Sequence, residues 1–129
     1  MKKQLITFET AKIAKQKSFK TNEQGYYVPM YNRDGDLIKE KLGYQNDWFI
    51  LAPTQLQLED WLLEKHSINI ELMFDDMQWF VYVGEFTIPD FSPDITLAIE
   101  CEGFEDAKNK KIKAREIALQ EALKLIPKI

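Results

Sequence analysis

Between Ala52 and His66 the sequence allows little besides an amphipathic helix, and that helix constrains the rest of the chain. Thr54 and Gln57 have the spacing of a capping box, in which each side chain satisfies a backbone N–H of the opening turn. Leu58, Trp61, Leu62 and Lys65 follow at i, i+3, i+4 and i+7, and Leu56 and Leu63 widen the stripe. Gln57, Glu59, Asp60 and Glu64 make the opposite side polar. A helix so divided must lay Trp61 and its leucines on an apolar layer. The run that begins at Ile68 is the expected platform.

Three strands are predicted downstream. Ile68, Ile70, Leu72 and Phe74 alternate with Asn69, Glu71, Met73 and Asp75, a clean period of two. Asp75 and Asp76 then turn the chain. In the next strand Trp79, Val81 and Val83 face one way and Phe80, Tyr82 and Phe86 the other, so it reads as central and covered on both faces. Pro89 to Pro93 reads as a loop. Ile95, Leu97, Ile99 and Cys101 alternate with Thr96, Ala98, Glu100 and Glu102 to give the third strand. Gly103 ends it, and residues 104–126 form a long helix stopped by Pro127. The second half of that helix is apolar on one side. Its first half, Glu105 to Arg115, is hydrophilic nearly all round and is expected to project into solvent.

Upstream, residues 8–17 predict a short helix with Thr7 as N-cap, Thr10 at N3 and Phe19 as a pin. Residues 26–40 predict a β-hairpin about Asn32-Arg33-Asp34-Gly35, and Trp48-Phe49-Ile50-Leu51 a short strand. Pro29 has no N–H to give, which places the first hairpin strand at an edge. Strands in a run with flanking helices define an α+β protein. The expected architecture is an antiparallel sheet, made of a meander over 68–101 and a hairpin over 26–40. Helices at 8–17, 54–66 and 104–126 pack on it. No repeat or linker interrupts 1–129, read as a single domain.

Composition narrows the setting. With 45% hydrophobic and 29% charged residues, 5 Gly and 5 Pro, the chain has the make-up of a folded domain. One cysteine, Cys101, allows no internal disulfide and favours a reducing compartment. Lys2 and Lys3 are followed by no apolar stretch of signal-peptide length, and no run approaches the ~20 apolar residues of a membrane span. A cytoplasmic protein without membrane association is expected. The net charge of −4 is unevenly spread: Glu71 to Glu102 holds eight acidic residues and neither Lys nor Arg, whereas 104–129 holds seven basic residues against four acidic. The simplest account is mutual neutralisation of acidic strands and basic helices within one fold. The other is an interaction surface.

Thr7-Phe8-Glu9-Thr10-Ala11-Lys12-Ile13-Ala14-Lys15, Ala52-Pro53-Thr54-Gln55 opening a helix, and Glu121-Ala122-Leu123-Lys124-Leu125-Ile126 resemble small uncharacterised proteins of phages and prophages of gut bacteria. The resemblance spans most of the chain in scattered blocks. It implies a mobile-element origin and brings no assigned activity, cofactor or site residue.

Catalytic chemistry finds little material. The only histidine, His66, sits near a helix end, where its cation complements the helix dipole. Alternation puts Cys101 among Ile95, Leu97 and Ile99, so the two read as separate structural residues rather than as a nucleophile and its base. Structural zinc wants four Cys or His ligands, and the chain owns two such residues. Asn32, Asp34 and Asp36 alternate as calcium ligands can, but Leu37 and Gly43 occupy the positions where an EF-hand needs Gly and Glu. They read as hairpin-turn residues. Asp75 and Asp76 read as an exposed turn, and the five glycines form no phosphate-binding motif. The expectation is a protein that is not an enzyme and uses no cofactor or metal.

Two kinds of partner remain. Residues 52–126, in the order α-β-β-β-α, resemble a double-stranded-RNA-binding domain. The resemblance implies that Lys108, Lys110, Lys111, Lys113 and Arg115, at the start of the last helix, would meet phosphates. The family's Gly-rich Ser-Lys-Lys lead-in is replaced by Glu102-Gly103-Phe104-Glu105-Asp106, which sets three carboxylates where phosphate would approach. The other partner is a protein, with Tyr26, Tyr27, Tyr31 and Trp48 as interface anchors, since aromatics are enriched at hot spots. Protein contact is the leading expectation, nucleic acid the alternative.

Overall fold

The computed structural model describes residues 4–19, 27–41, 50–85 and 93–127. The fold is α+β, with two three-stranded antiparallel sheets and three helices. Contacts divide the chain into two units, Met1–Thr54 and Gln55–Ile129. In order, the elements are α1 (Phe8–Gln16), β1 (Tyr27–Tyr31), β2 (Leu37–Lys41), β3 (Ile50–Leu51), α2 (Gln55–His66), β4 (Ile68–Asp75), β5 (Gln78–Glu85), β6 (Ile95–Glu100) and α3 (Phe104–Lys124).

In the first unit Thr7 caps α1 as expected, its Oγ1 accepting from the Thr10 N–H at 3.3 Å. The helix closes in a Schellman motif: Ser18 stands in the left-handed region at φ 66°, Phe19 N–H donates to Ala14 and Ser18 N–H to Lys15. Phe19, expected as a pin, is buried. Asn32 organises the β1–β2 turn, its Oδ1 accepting from the N–H groups of Asp34 and Asp36 at 3.0 Å each. Gly35 is required there: its φ is +88°, and a Cβ would lie 3.1 Å from the Phe8 ring.

The sheet order is β2-β1-β3, so the proline-bearing strand is central and not at an edge. The register shows why Pro29 is tolerated. β3 pairs only through Met30↔Leu51 and Tyr31↔Ile50, and Pro29 still accepts from the Ala52 N–H at 3.0 Å. The donor that proline lacks falls on that same side, where the two-residue β3 runs out toward Pro53. Trp48 and Phe49, expected to begin this strand, lie outside the described residues.

In the second unit β5 is central, as expected, in the order β4-β5-β6, but it is not covered on both faces: Phe80 and Tyr82 are only half-buried, beside an exposed Met73. Asp76 and Met77, at φ 49° and 57°, form a two-residue turn of the primed type that matches the twist of the hairpin. Register aligns Ile70, Val83 and Ile95; Leu72, Val81 and Leu97; and Phe74, Trp79 and Ile99 on one face. α3 packs on that face across β5, and α2 packs on β4 and α3. The core is Leu58, Leu62, Val81, Val83, Ala114, Ala118, Leu119, Ala122 and Leu123, each with no accessible surface.

The apolar stripe of α2 is narrower than expected. Gln55, Leu58 and Leu62 are buried, whereas Trp61 is half-buried with its ring 4.8 Å from His66. Leu56 and Leu63 lie some 100° round the helix and are exposed. The first half of α3 does not project: Ala107 and Ala114 are buried, and Trp79 Nε1 donates to the Ala107 carbonyl at 2.8 Å. Alanines let the backbone come close enough for that bond, which a count of apolar side chains does not register.

Candidate functional site

The five basic residues that open α3 do not converge. Lys110 donates to the Glu100 carbonyl at 2.8 Å and pairs with Asp106 at 3.0 Å. Asp106 also accepts from the Glu102 N–H at 2.8 Å; that bond, then Lys110, holds its carboxyl below the usual range, and Asp106 in turn raises Lys110. Lys111 leans over the Trp79 ring, 5.6 Å from its centre. Arg115 Nε lies 3.5 Å from Glu59 Oε2, near enough for attraction but not aligned as a hydrogen bond. Burial outweighs the pull of Arg115 and, with Asp60, lifts Glu59 above the ordinary glutamate range. Lys108 and Lys113 are exposed, yet five positions apart, which sets them about 140° apart around the helix.

Of the aromatic candidates, Tyr31 is engaged within its own unit. Its hydroxyl donates to the Ile6 carbonyl at 2.7 Å, and its ring meets Phe8 edge-on at 5.5 Å. Tyr27 pairs with Lys41 in the β1–β2 ladder. Tyr26 and Trp48 lie outside the described residues, and nothing is described of the Tyr27 side chain.

The residues weighed for chemistry are kept apart. His66 ends α2, one residue before β4 begins at Ile68. Cys101 is tied to the other end of that sheet, its N–H donating to the Met77 carbonyl in the β4–β5 turn. The length of β4, about 23 Å at strand rise, separates the two ends. Asn32 spends its side-chain oxygen on the turn it closes. Among the described residues no group of three His, Cys, Asp or Glu could hold a metal ion. No helix among them is long and apolar enough to cross a membrane.

What the sequence reading missed is the outer face of the β4-β5-β6 sheet. Trp79 faces α3, so alternation sends Phe80 and Tyr82 to the other side. The register stacks three rows there: Glu71, Tyr82 and Thr96; Met73, Phe80 and Ala98; and Asp75, Gln78 and Glu100. Met73 is 55% exposed, Ala98 and Thr96 are exposed, and Phe80 and Tyr82 are half-buried. Glu71, Asp75 and Glu100 are exposed, and among the described residues their carboxylates enter no ion pair or hydrogen bond. The apolar row therefore lies between a row that carries Glu71 and one that carries Asp75 and Glu100, with no Lys or Arg anywhere from His66 to Ala107. The signal was present in the alternation: the positions opposite the core residues hold Glu71, Asp75 and Glu100 together with Met73, Phe80, Tyr82 and Ala98.

Compared with protein-family models, curated proteins and solved structures, the chain matches none.

Proposed function

We propose that this chain is an accessory protein of a phage or prophage that works by binding another protein, and that the outer face of the β4-β5-β6 sheet is its contact surface. The observation that carries the reading is the middle row of that face, where Met73 lies open beside Phe80 and Ala98. Interfaces place such apolar residues at their centre with polar residues at the rim. The resemblance of its three sequence blocks to prophage proteins supports the origin. Site-specific photocrosslinking tests it. A benzophenone side chain at position 73 should trap one discrete partner in the producing cell, whereas the same group at Asn109, exposed on α3, should not. Equal labelling from both positions, or none from position 73, refutes the assignment.

A second reading rests on the exposed ammonium groups of Lys108 and Lys113 and on the α-β-β-β-α order of the second unit, as in a double-stranded-RNA-binding domain. Backbone binding of RNA or DNA requires affinity that falls steeply with salt and is lost in a Lys108→Glu/Lys113→Glu variant. No shift of a labelled duplex at low salt eliminates it.

A further inference from the structure

We infer that the outer sheet face is shaped for a cationic amphipathic helix of the partner, lying across the strands. This rests on the reading above and goes further by naming the partner's chemistry.

The register gives the dimensions. Glu71 and Asp75 are four residues apart on β4, about 13 Å at strand rise, with Met73 midway. A helix with its side chains is about 10–12 Å across, so it fits between the two acidic rows with its axis along Met73, Phe80 and Ala98. An added strand would pair at the edge of β4 or β6 and leave the face itself uncovered. Asp75 and Glu100 stand in one row on the two outer strands, separated by two strand spacings or about 10 Å. Two turns of helix advance about 10.8 Å. The matching ligand therefore has an apolar stripe, two Lys or Arg residues seven apart on one flank and one on the other flank, facing Glu71.

Charge settles the sign. Among the described residues no cationic side chain meets the three carboxylates, and the lysines of α3 are on the helix that covers the opposite face. An acidic field of this kind steers cations toward the sheet and repels anionic partners.

The test uses the full chain and a designed helical peptide of about 15 residues with a leucine stripe and lysines in that pattern. Two variants accompany it: one with glutamates for the lysines, the other with the lysines kept and serines for the leucines. Fluorescence anisotropy gives affinity, and amide chemical shifts locate the contact. The lysine–leucine peptide should bind, moving amides of residues 71–75, 78–82 and 96–100, and its affinity should fall with salt. Glu71→Gln/Asp75→Asn/Glu100→Gln, isosteric changes at exposed positions, should weaken it roughly tenfold and flatten the salt dependence. If the glutamate peptide moves the same amides as strongly, the cationic assignment is wrong while the sheet stands as a protein-binding face. If no peptide moves those amides, the inference fails, and photocrosslinking at position 73 decides separately whether the face binds protein. Should those amides shift with protein concentration alone, the occupant is a second copy and the inference is overturned.

Discussion

Replacing Trp79 with phenylalanine would isolate the bond that holds the opening turns of α3 to the sheet. Trp79 is half-buried on the helix-covered side of the central strand, its indole N–H 2.8 Å from the Ala107 carbonyl and its ring 5.2 Å from Phe74. Phenylalanine keeps a ring against Phe74, so most of that aromatic contact survives. The donor does not. A neutral hydrogen bond contributes about 0.5–1.5 kcal/mol net. Trimming a half-buried indole to phenyl removes about one buried methylene equivalent more, or about 0.8 kcal/mol. The Ala107 carbonyl keeps its helical acceptor role toward the N–H four residues on, so it is not stranded. Trp79→Phe should therefore cost about 1.3–2.3 kcal/mol, read by urea unfolding followed by far-ultraviolet circular dichroism with an unchanged m value. The loss should be local: amides of residues 108–112 should lose hydrogen-exchange protection before those of 118–123. A change under about 0.5 kcal/mol, or an even loss of protection along α3, would refute the view that this bond docks the first half of the helix.

Three further outcomes follow from the backbone and the α2–α3 contact. Ser18→Gly, at the left-handed residue closing α1, should raise stability by about 0.5–1 kcal/mol in the same urea assay; a lower midpoint would show that the Schellman geometry is not strained. Asp76→Asn with Met77→Gly should stabilise by about 1 kcal/mol, because asparagine and glycine suit a turn in which both residues have positive φ; slower or weaker folding would contradict the turn assignment. Glu59, raised by burial despite Arg115, contributes most to stability when protonated, below its unfolded value, and loses that contribution as pH rises through its higher folded value. Comparing wild type with Glu59→Gln between about pH 4 and pH 7, the balance should move toward the variant as pH rises; movement toward wild type would reverse the sign argued for burial.

Much of the architecture was legible because hydrophobic periodicity carries it. The alternation from Ile68 and Ile95 placed two strands, the capping signal at Thr54 placed the start of α2 within a residue, and Thr7 was read as the α1 cap it is. The misreadings share a cause: each turns on which neighbour an element meets, which no single segment states. The missing donor of Pro29 points to an edge, yet the residue is accommodated in a central strand because β3 is only two residues long. Leu56 and Leu63 count into the stripe of α2 by composition, but they lie about 100° or more round the helix from the buried Leu58 and Leu62 and are exposed. The first half of α3 was judged too polar to dock, although Ala107 and Ala114 suffice when Trp79 reaches across to the backbone.

The charge asymmetry shows the same limit more sharply, and it bears on function. Counting charges along the chain favoured acidic strands neutralised by a basic helix. Parity decides otherwise, because a strand sends successive side chains to opposite faces. α3 occupies the face of Val81 and Val83, and the carboxylates of Glu71, Asp75 and Glu100 belong to the other parity. Lys110 does reach β6, yet it meets the backbone carbonyl of Glu100 and the carboxylate of Asp106, leaving the Glu100 side chain outside. The sequence thus contained the acids and the lysines in the right elements. What it withheld was the register that ranks Glu71, Met73 and Asp75 against Tyr82, Phe80 and Gln78, and so sets three scattered carboxylates on either side of one apolar row.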